Sequence, residues 1–241
     1  MASTSETGHA KNIANFKLLN ERNAGFGAKY NPSNRLLTLA NMQKQHTDCN
    51  ALQGDVNTQK GIYEPAQNAR TDEFADVQKL ARRMRTAAKT CGASKGFYID
   101  VNKIVTKLVG ERAGKPKVTA EDPSGNSVSQ QSYDNIVNNF DALAKMLAGE
   151  AKYAPNEADL TVAAATAKQA ALDATNNAVK SSAVPYNNAV IARNKALYTE
   201  DTGLCDVALN SKDYVKQAFT YSSPEFKSIS SIAFRKLPKG K

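Results

Sequence analysis

Between Met42 and Tyr63 an apolar residue returns at every seventh position, as Met42, Cys49, Val56 and Tyr63; further along, Ala165, Leu172, Val179 and Tyr186 repeat the pattern. Seven residues make close to two turns of α-helix, so each set occupies one helix face. On a strand, positions an odd number apart point to opposite sides of the sheet, so neither set could line one side. The spacing predicts helix through both stretches and leaves no place for a sheet there.

The stretches belong to a longer match. "AKYNPSNRLLTLA" (Ala28 to Ala40) returns as "AKYAPNEADLTVA" (Ala151 to Ala163), and 28–70 aligns with 151–193 without a gap. Because no gap is needed, both spans are expected to be continuous helix after a common start. Pro32 and Pro155 fit a first helical turn, with Asn31, Ser33 and Asn156 as candidate caps. Upstream, "NIANFKLL" (from Asn12) resembles "NIVNNFDAL" (from Asn135) with a one-residue slip. The chain therefore reads as an all-α fold of two related helical bundles from an internal duplication, with long kinked helices. The expected division is a mobile N-terminus (1–11), a first helical repeat (12–111), a polar linker (112–129), a second repeat (130–219) and a C-terminal tail (220–241). Pro65 and Pro185 are expected to bend or break the long helices, through a kink or a hairpin. Shorter helices are expected at 97–111 and 206–219. The alternation from Ile229 to Ile232 predicts an extended tail packed along a bundle. Arg70 and Arg193, each seven residues after a tyrosine, are expected to pair with carboxylates at a bundle edge.

Composition agrees with this architecture. The chain holds 13 Gly and 8 Pro in 241 residues, few for a strand-rich fold with many turns. Much of its apolar content is Ala, which suits closely packed helices. There is no apolar run of transmembrane length. "MASTSETGHAKN" lacks a secretory pattern, and Cys49, Cys91 and Cys205 are widely spaced without a CxxC. These features predict reduced thiols and a cytoplasmic location, secretion by an unconventional route remaining open.

Motifs for chemistry are sparse. The two histidines, His9 and His46, lack E-x-x-H or H-E-x-x-H partners, so no metal ligands are assigned. "GERAGKP" (Gly110 to Pro116) falls short of a phosphate loop by one residue and puts Pro116 where Ser or Thr is needed. "GFGAK" (Gly25 to Lys29) reads as turn chemistry. Without a base beside Ser or Cys, no catalytic residue and no cofactor is assigned. Asp72, Glu73 and Asp76 read as a solvated acidic face.

The net charge of +9 is concentrated instead of spread. Lys79, Arg82, Arg83, Arg85, Lys89 and Lys95 follow one another with no acid from Val77 to Ile99. Arg82, Arg85 and Lys89 share a helix face. Arg82, Arg83, Arg85 and Lys89 read first as a solvated or intramolecularly paired face, and next as candidates for contacts to an acidic partner or to phosphate. No aromatic residue interleaves for base stacking, which places nucleic acid behind an acidic protein surface.

The segments "SETGHAKN", "YAPNEADL", "NNAVIARNKALY" and "DTGL" resemble a set of uncharacterised bacterial helical proteins of similar length. The resemblance implies a bacterial helical protein and supplies no activity and no site residues. Together these readings lead to the expectation of a non-enzymatic structural or interaction protein, acting through macromolecular surfaces or self-association. Two alternatives stay open: a membrane-active protein of the α-helical pore-forming type, and nucleic-acid binding through the basic helix face.

Overall fold

The protein is described as a computed structural model covering residues 8–111 and 131–236. Every regular element among these residues is helical, so the chain is all-α. The elements are α1 (His9–Gly25), α2 (Leu39–Phe74), α3 (Val77–Thr90), α4 (Lys95–Val109), α5 (Tyr133–Ala148), α6 (Val162–Tyr198), α7 (Leu204–Phe219) and α8 (Pro224–Ser230). The expected linker, 112–129, lies outside the described residues. The N-terminal segment expected to be mobile contains the first residues of α1 from His9 onward.

The long helices start later than Pro32 and Pro155 suggest. In both copies the proline precedes a short 3-10 turn, Arg35–Leu37 or Ala158–Leu160, and α2 and α6 begin after it. A tyrosine sets the turn. The Tyr30 hydroxyl donates to the Leu37 carbonyl at 2.8 Å, and the Tyr153 hydroxyl donates to the Leu160 carbonyl at 2.9 Å. The next threonine closes the turn, Thr38 onto the Arg35 carbonyl and Thr161 onto the Ala158 carbonyl. Carbonyls that a longer helix would have paired are thus satisfied by side chains.

Neither internal proline breaks its helix: α2 runs on through Pro65, and α6 through Pro185. Both prolines are exposed, as are Gly61 and Ser181 one turn earlier, whose carbonyls lose their amide partners. Water can reach those carbonyls, so the missing bond is tolerated. The seven-residue stripe is the buried face. Met42, Cys49 and Val56 are the buried residues of α2, and Ala165, Leu172 and Val179 are buried on α6.

The chain divides into two compact units, 1–62 with 183–241, and 63–182. They do not coincide with the two sequence copies. The first unit takes α1 and the start of α2 from one copy, and the end of α6, α7 and α8 from the other. The second unit takes the end of α2, α3 and α4 with α5 and the start of α6.

In the first unit α7 packs on α1, α8 and the Arg35–Leu37 turn. Phe16, Leu19, Met42, Leu197, Leu204 and Ile229 lie in its core without solvent exposure. A polar network runs through that core. Asn23 Nδ2 donates to Ser211 Oγ at 2.8 Å, Ser211 Oγ meets the Tyr30 hydroxyl at 3.0 Å, and Asn20 Nδ2 donates to the Met42 carbonyl at 3.1 Å. The side-chain carbonyl oxygens of Asn20 and Asn23 have no hydrogen-bond partner among the described residues. Residues 220–236 are not simply an extended tail: Ile229 and Ser230 end α8, capped by Ser223, and the residues after it have no regular structure. These lie along α1, where Asn12 Nδ2 donates to the Arg235 carbonyl at 2.7 Å and Asn15 Nδ2 to the Ala233 carbonyl at 2.7 Å.

In the second unit α4 packs on α3 and α5, and α3 packs on the Ala158–Leu160 turn. Its core, with Met84, Leu108, Phe140, Leu143, Leu147 and Leu172, is apolar. Position by position it parallels the first. Ile13, Phe16, Leu19, Asn20 and Asn23 of α1 answer to Val137, Phe140, Leu143, Ala144 and Leu147 of α5, all buried. Val77, Ala81, Met84 and Ala88 of α3 answer to Leu204, Ala208, Ser211 and Val215 of α7, again all buried. Ser94 and Ser223 cap α4 and α8 alike, each accepting from a phenylalanine amide at 3.1 Å. The counterpart of α7 is therefore α3, and that of α8 is α4. The polar network of the first unit is replaced in the second by Ala144, Leu147 and Met84.

Candidate functional site

The basic cluster forms the outer face of α3. Val77, Ala81, Met84 and Ala88 bury one side of that helix, and the charged residues take the other because helical spacing leaves them nowhere else. Three of the four candidate residues are matched to carboxylates within the second unit. Arg83 grips Asp159 with both terminal nitrogens. Arg85 donates to Glu111 at 3.0 Å and to Asn102 at 3.3 Å, and Arg82 lies 3.7 Å from the same Glu111. The carboxyls respond as expected: hydrogen bonding from Arg85 holds Glu111 below the usual carboxylate range, and hydrogen bonding from Arg83 does the same for Asp159. Lys79 and Lys89 stay exposed, with no ion pair among the described residues. The arginines thus fasten α3 to its surroundings, and the lysines carry the outward charge.

Next to Arg83 the surface opens into a cleft of about 560 Å³, bounded by α3 and the segment from Lys152 to Leu160. Arg83, Thr86, Ala87, Thr90 and Cys91 form one wall, and Lys152, Ala154, Pro155, Asn156 and Glu157 the other. The first unit has a cleft in the corresponding place, of about 260 Å³, and each of its lining residues has a counterpart here. Pro32, Ser33, Asn34 and Leu37 answer to Pro155, Asn156, Glu157 and Leu160. Asn210, Asp213, Tyr214 and Gln217 answer to Arg83, Thr86, Ala87 and Thr90.

One substitution contributes to the difference in size, and the larger cleft also extends to Cys91, Lys152 and Ala154. In the first unit the ring of Tyr214 stands edge-on to Tyr30 at 5.3 Å, and its hydroxyl accepts from the Asn31 amide at 3.1 Å. In the second unit Ala87 replaces it. The amide corresponding to that of Asn31 belongs to Ala154, and it turns back onto the Lys152 carbonyl at 3.0 Å. Sequence reasoning missed this cleft because its wall begins beyond residue 70, where the copies stop aligning by identity. The buried apolar positions of α3 and α7 carry the signal that restores the register.

Other sequence candidates resolve into structural roles. His9 is part of α1, and its Nδ1 lies 2.8 Å from the Tyr198 hydroxyl; burial and the nearby Arg193 lower its pKa. His46 is likewise lowered by burial and by Lys17. Glu73 and Asp76 do not form a free acidic face: they bind Lys168 Nζ at 2.9 and 2.7 Å. Burial pulls the Lys168 pKa down, but the two carboxylates outweigh it and hold the charge in place. Arg70 does not meet a carboxylate at hydrogen-bond distance among the described residues. It donates to Asn176 at 3.3 Å and stands over the Tyr133 ring at 3.9 Å. Arg193, buried, donates to its neighbour Asn194. In "GFGAK", Gly27 takes φ 58° at a 3-10 turn, and Gly110 ends α4 at φ 68°; the rest of "GERAGKP", from Arg112, lies outside the described residues. Burial pushes the Cys49 thiol up to about 11 and the Cys205 thiol up to about 12, while Cys91 stands half-exposed on the cleft wall. Among the described residues, no group of His, Cys, Asp or Glu has the placement of a metal site, and no helix is long and apolar enough to cross a membrane.

No family model, no curated protein and no solved structure matches the chain.

Proposed function

We propose that this is a non-enzymatic interaction protein that works through the surface of its second unit, by self-association or by binding another polypeptide. One observation carries the reading. Two units with closely parallel cores differ at the same surface position, where one cleft, lined by Tyr214, holds about 260 Å³ and the other, with Ala87 in that place, holds about 560 Å³ on the helix that also carries Lys79 and Lys89. Divergence between otherwise parallel parts marks the place where they do different work. The pairing of Arg82, Arg83 and Arg85 favours this reading over nucleic-acid binding, because charges held by carboxylates contribute less to phosphate contact.

Light scattering across the micromolar range, with electron-microscope images of the same fractions, tests the proposal. The expected result is a mass above that of the 26.0 kDa chain, or a co-eluting polypeptide, reduced when Lys79 and Lys89 are both changed to Glu. A monodisperse 26.0 kDa species at every concentration, with nothing co-eluting, would overturn it.

A further inference from the structure

We infer that the open cleft of the second unit receives a tyrosine side chain from a partner polypeptide, in the position that Tyr214 fills within the first unit. The inference rests on the reading of the second unit as an interaction surface and names what that surface recognises.

The twin cleft acts as a template. At Tyr214 the chain shows how the site holds a phenol: the ring lies between the helix and the proline turn, and its oxygen accepts from the amide that follows the turn's buried tyrosine. Each of those features except the ring has a counterpart in the second unit, although the amide there is turned onto a neighbouring carbonyl. Pro155 answers to Pro32, the turn tyrosine Tyr153 is anchored as Tyr30 is, and the Ala154 amide, on the cleft wall, answers in register to the Asn31 amide. That amide bonds to a carbonyl two residues back, a poor substitute that an incoming hydroxyl can displace. Ala87 leaves the space of the ring unfilled, and this cleft, of about 560 Å³, is larger than its twin of about 260 Å³.

The Arg83–Asp159 pair does not fill this volume. It joins α3 to the turn at the rim and replaces the tie that Tyr214 makes in the first unit. A partner polypeptide is favoured over a free phenol because the cleft is a surface groove. A small molecule there would keep much of its area in water, whereas a polypeptide adds contacts along the rim at Lys152, Asn156 and Glu157.

Cys91 supplies a reporter. Of the three thiols it alone lines the cleft and is half-exposed, the other two being buried. Its modification by a small thiol reagent on the full-length chain is followed with the peptide acetyl-Gly-Tyr-Gly-amide, its Tyr-to-Ala version and p-cresol. The tyrosine peptide should slow the reaction about threefold at twice its dissociation constant, and the alanine peptide should not. The variant Ala87→Tyr, which places the ring in cis, should lose the response to peptide. The variant Tyr214→Ala should add a second binding equivalent, counted by NMR titration. Equal protection by the alanine peptide, stronger protection by p-cresol than by the peptide, or no second equivalent in a folded Tyr214→Ala chain would each overturn the inference. The last readout decides even where Ala87→Tyr fails to fold. If the peptide fails while light scattering still shows association, the tyrosine is dismissed and the interaction surface stands.

Discussion

Tyr30 and Tyr153 perform the same task in different surroundings. Both are buried, and both donate to a leucine carbonyl seven residues ahead. Burial raises the pKa of each, to about 12 at Tyr153, so both remain neutral donors. Tyr30 also meets Ser211 and stands 3.4 Å from the Met42 sulfur, whereas Tyr153 has Met84 in the place of Ser211. Replacing Tyr153 by Phe strands one carbonyl and is expected to cost about 1–2 kcal/mol. Replacing Tyr30 by Phe strands the Leu37 carbonyl and also leaves the Asn23–Ser211 network short of a partner, so it should cost more, about 2–4 kcal/mol. Urea unfolding of the two variants measures the difference; equal losses would show that the network contributes nothing. "AKY" followed by Pro was visible twice in the sequence, and it predicted a shared helix start. The tyrosine's part in it was not visible, because a bond across seven residues leaves no periodic trace.

The helices as elements show which local rules held. The seven-residue stripe located the buried faces of α2 and α6, since only that pattern survives on a helix whose remaining surface is wet. Of the kink or break expected at the prolines, the break does not occur: both prolines stand on exposed faces, where the carbonyls one turn earlier are open to solvent. The basic cluster was legible as a helix face, but its partners Glu111 and Asp159 come from other elements, and no local spacing could announce them. Two glycines make the same point about context. Gly54 lies on α2 with open space around it, so Gly54→Ala should stabilise the chain by about 0.5–1 kcal/mol. At Gly203, which precedes α7, an added Cβ would stand 2.7 Å from the backbone nitrogen and oxygen of Thr199. Gly203→Ala should therefore destabilise by about 2 kcal/mol or more, because backbone cannot step aside as a side chain can. Thermal melts of both variants check sign and size.

At the scale of the whole molecule, the units cut across the sequence copies. Residues 63–182 are one continuous stretch and hold all of the second unit's core. A fragment of those residues is expected to fold alone, with a cooperative melt followed by circular dichroism. Residues 1–111 and 131–241 made separately should each lack a closed core and stay unfolded, and should regain helix when mixed. Folding of either half by itself would mean that the copies and not the units are the stable bodies. The internal match showed that the chain is built from two related parts. It did not show how those parts are shared out, because identity between segments says nothing about which segments touch.

The same division sets an order of events while the chain is being made. The second unit is complete once Ser182 has been added, but α1, among the first elements to emerge, packs on α7 roughly 190 residues later. At about 5–20 residues per second, Phe16 and Leu19 wait on the order of ten to forty seconds for their neighbours. During that interval the apolar face of α1 waits without α7 to cover it, and it is then that a chaperone has most to protect.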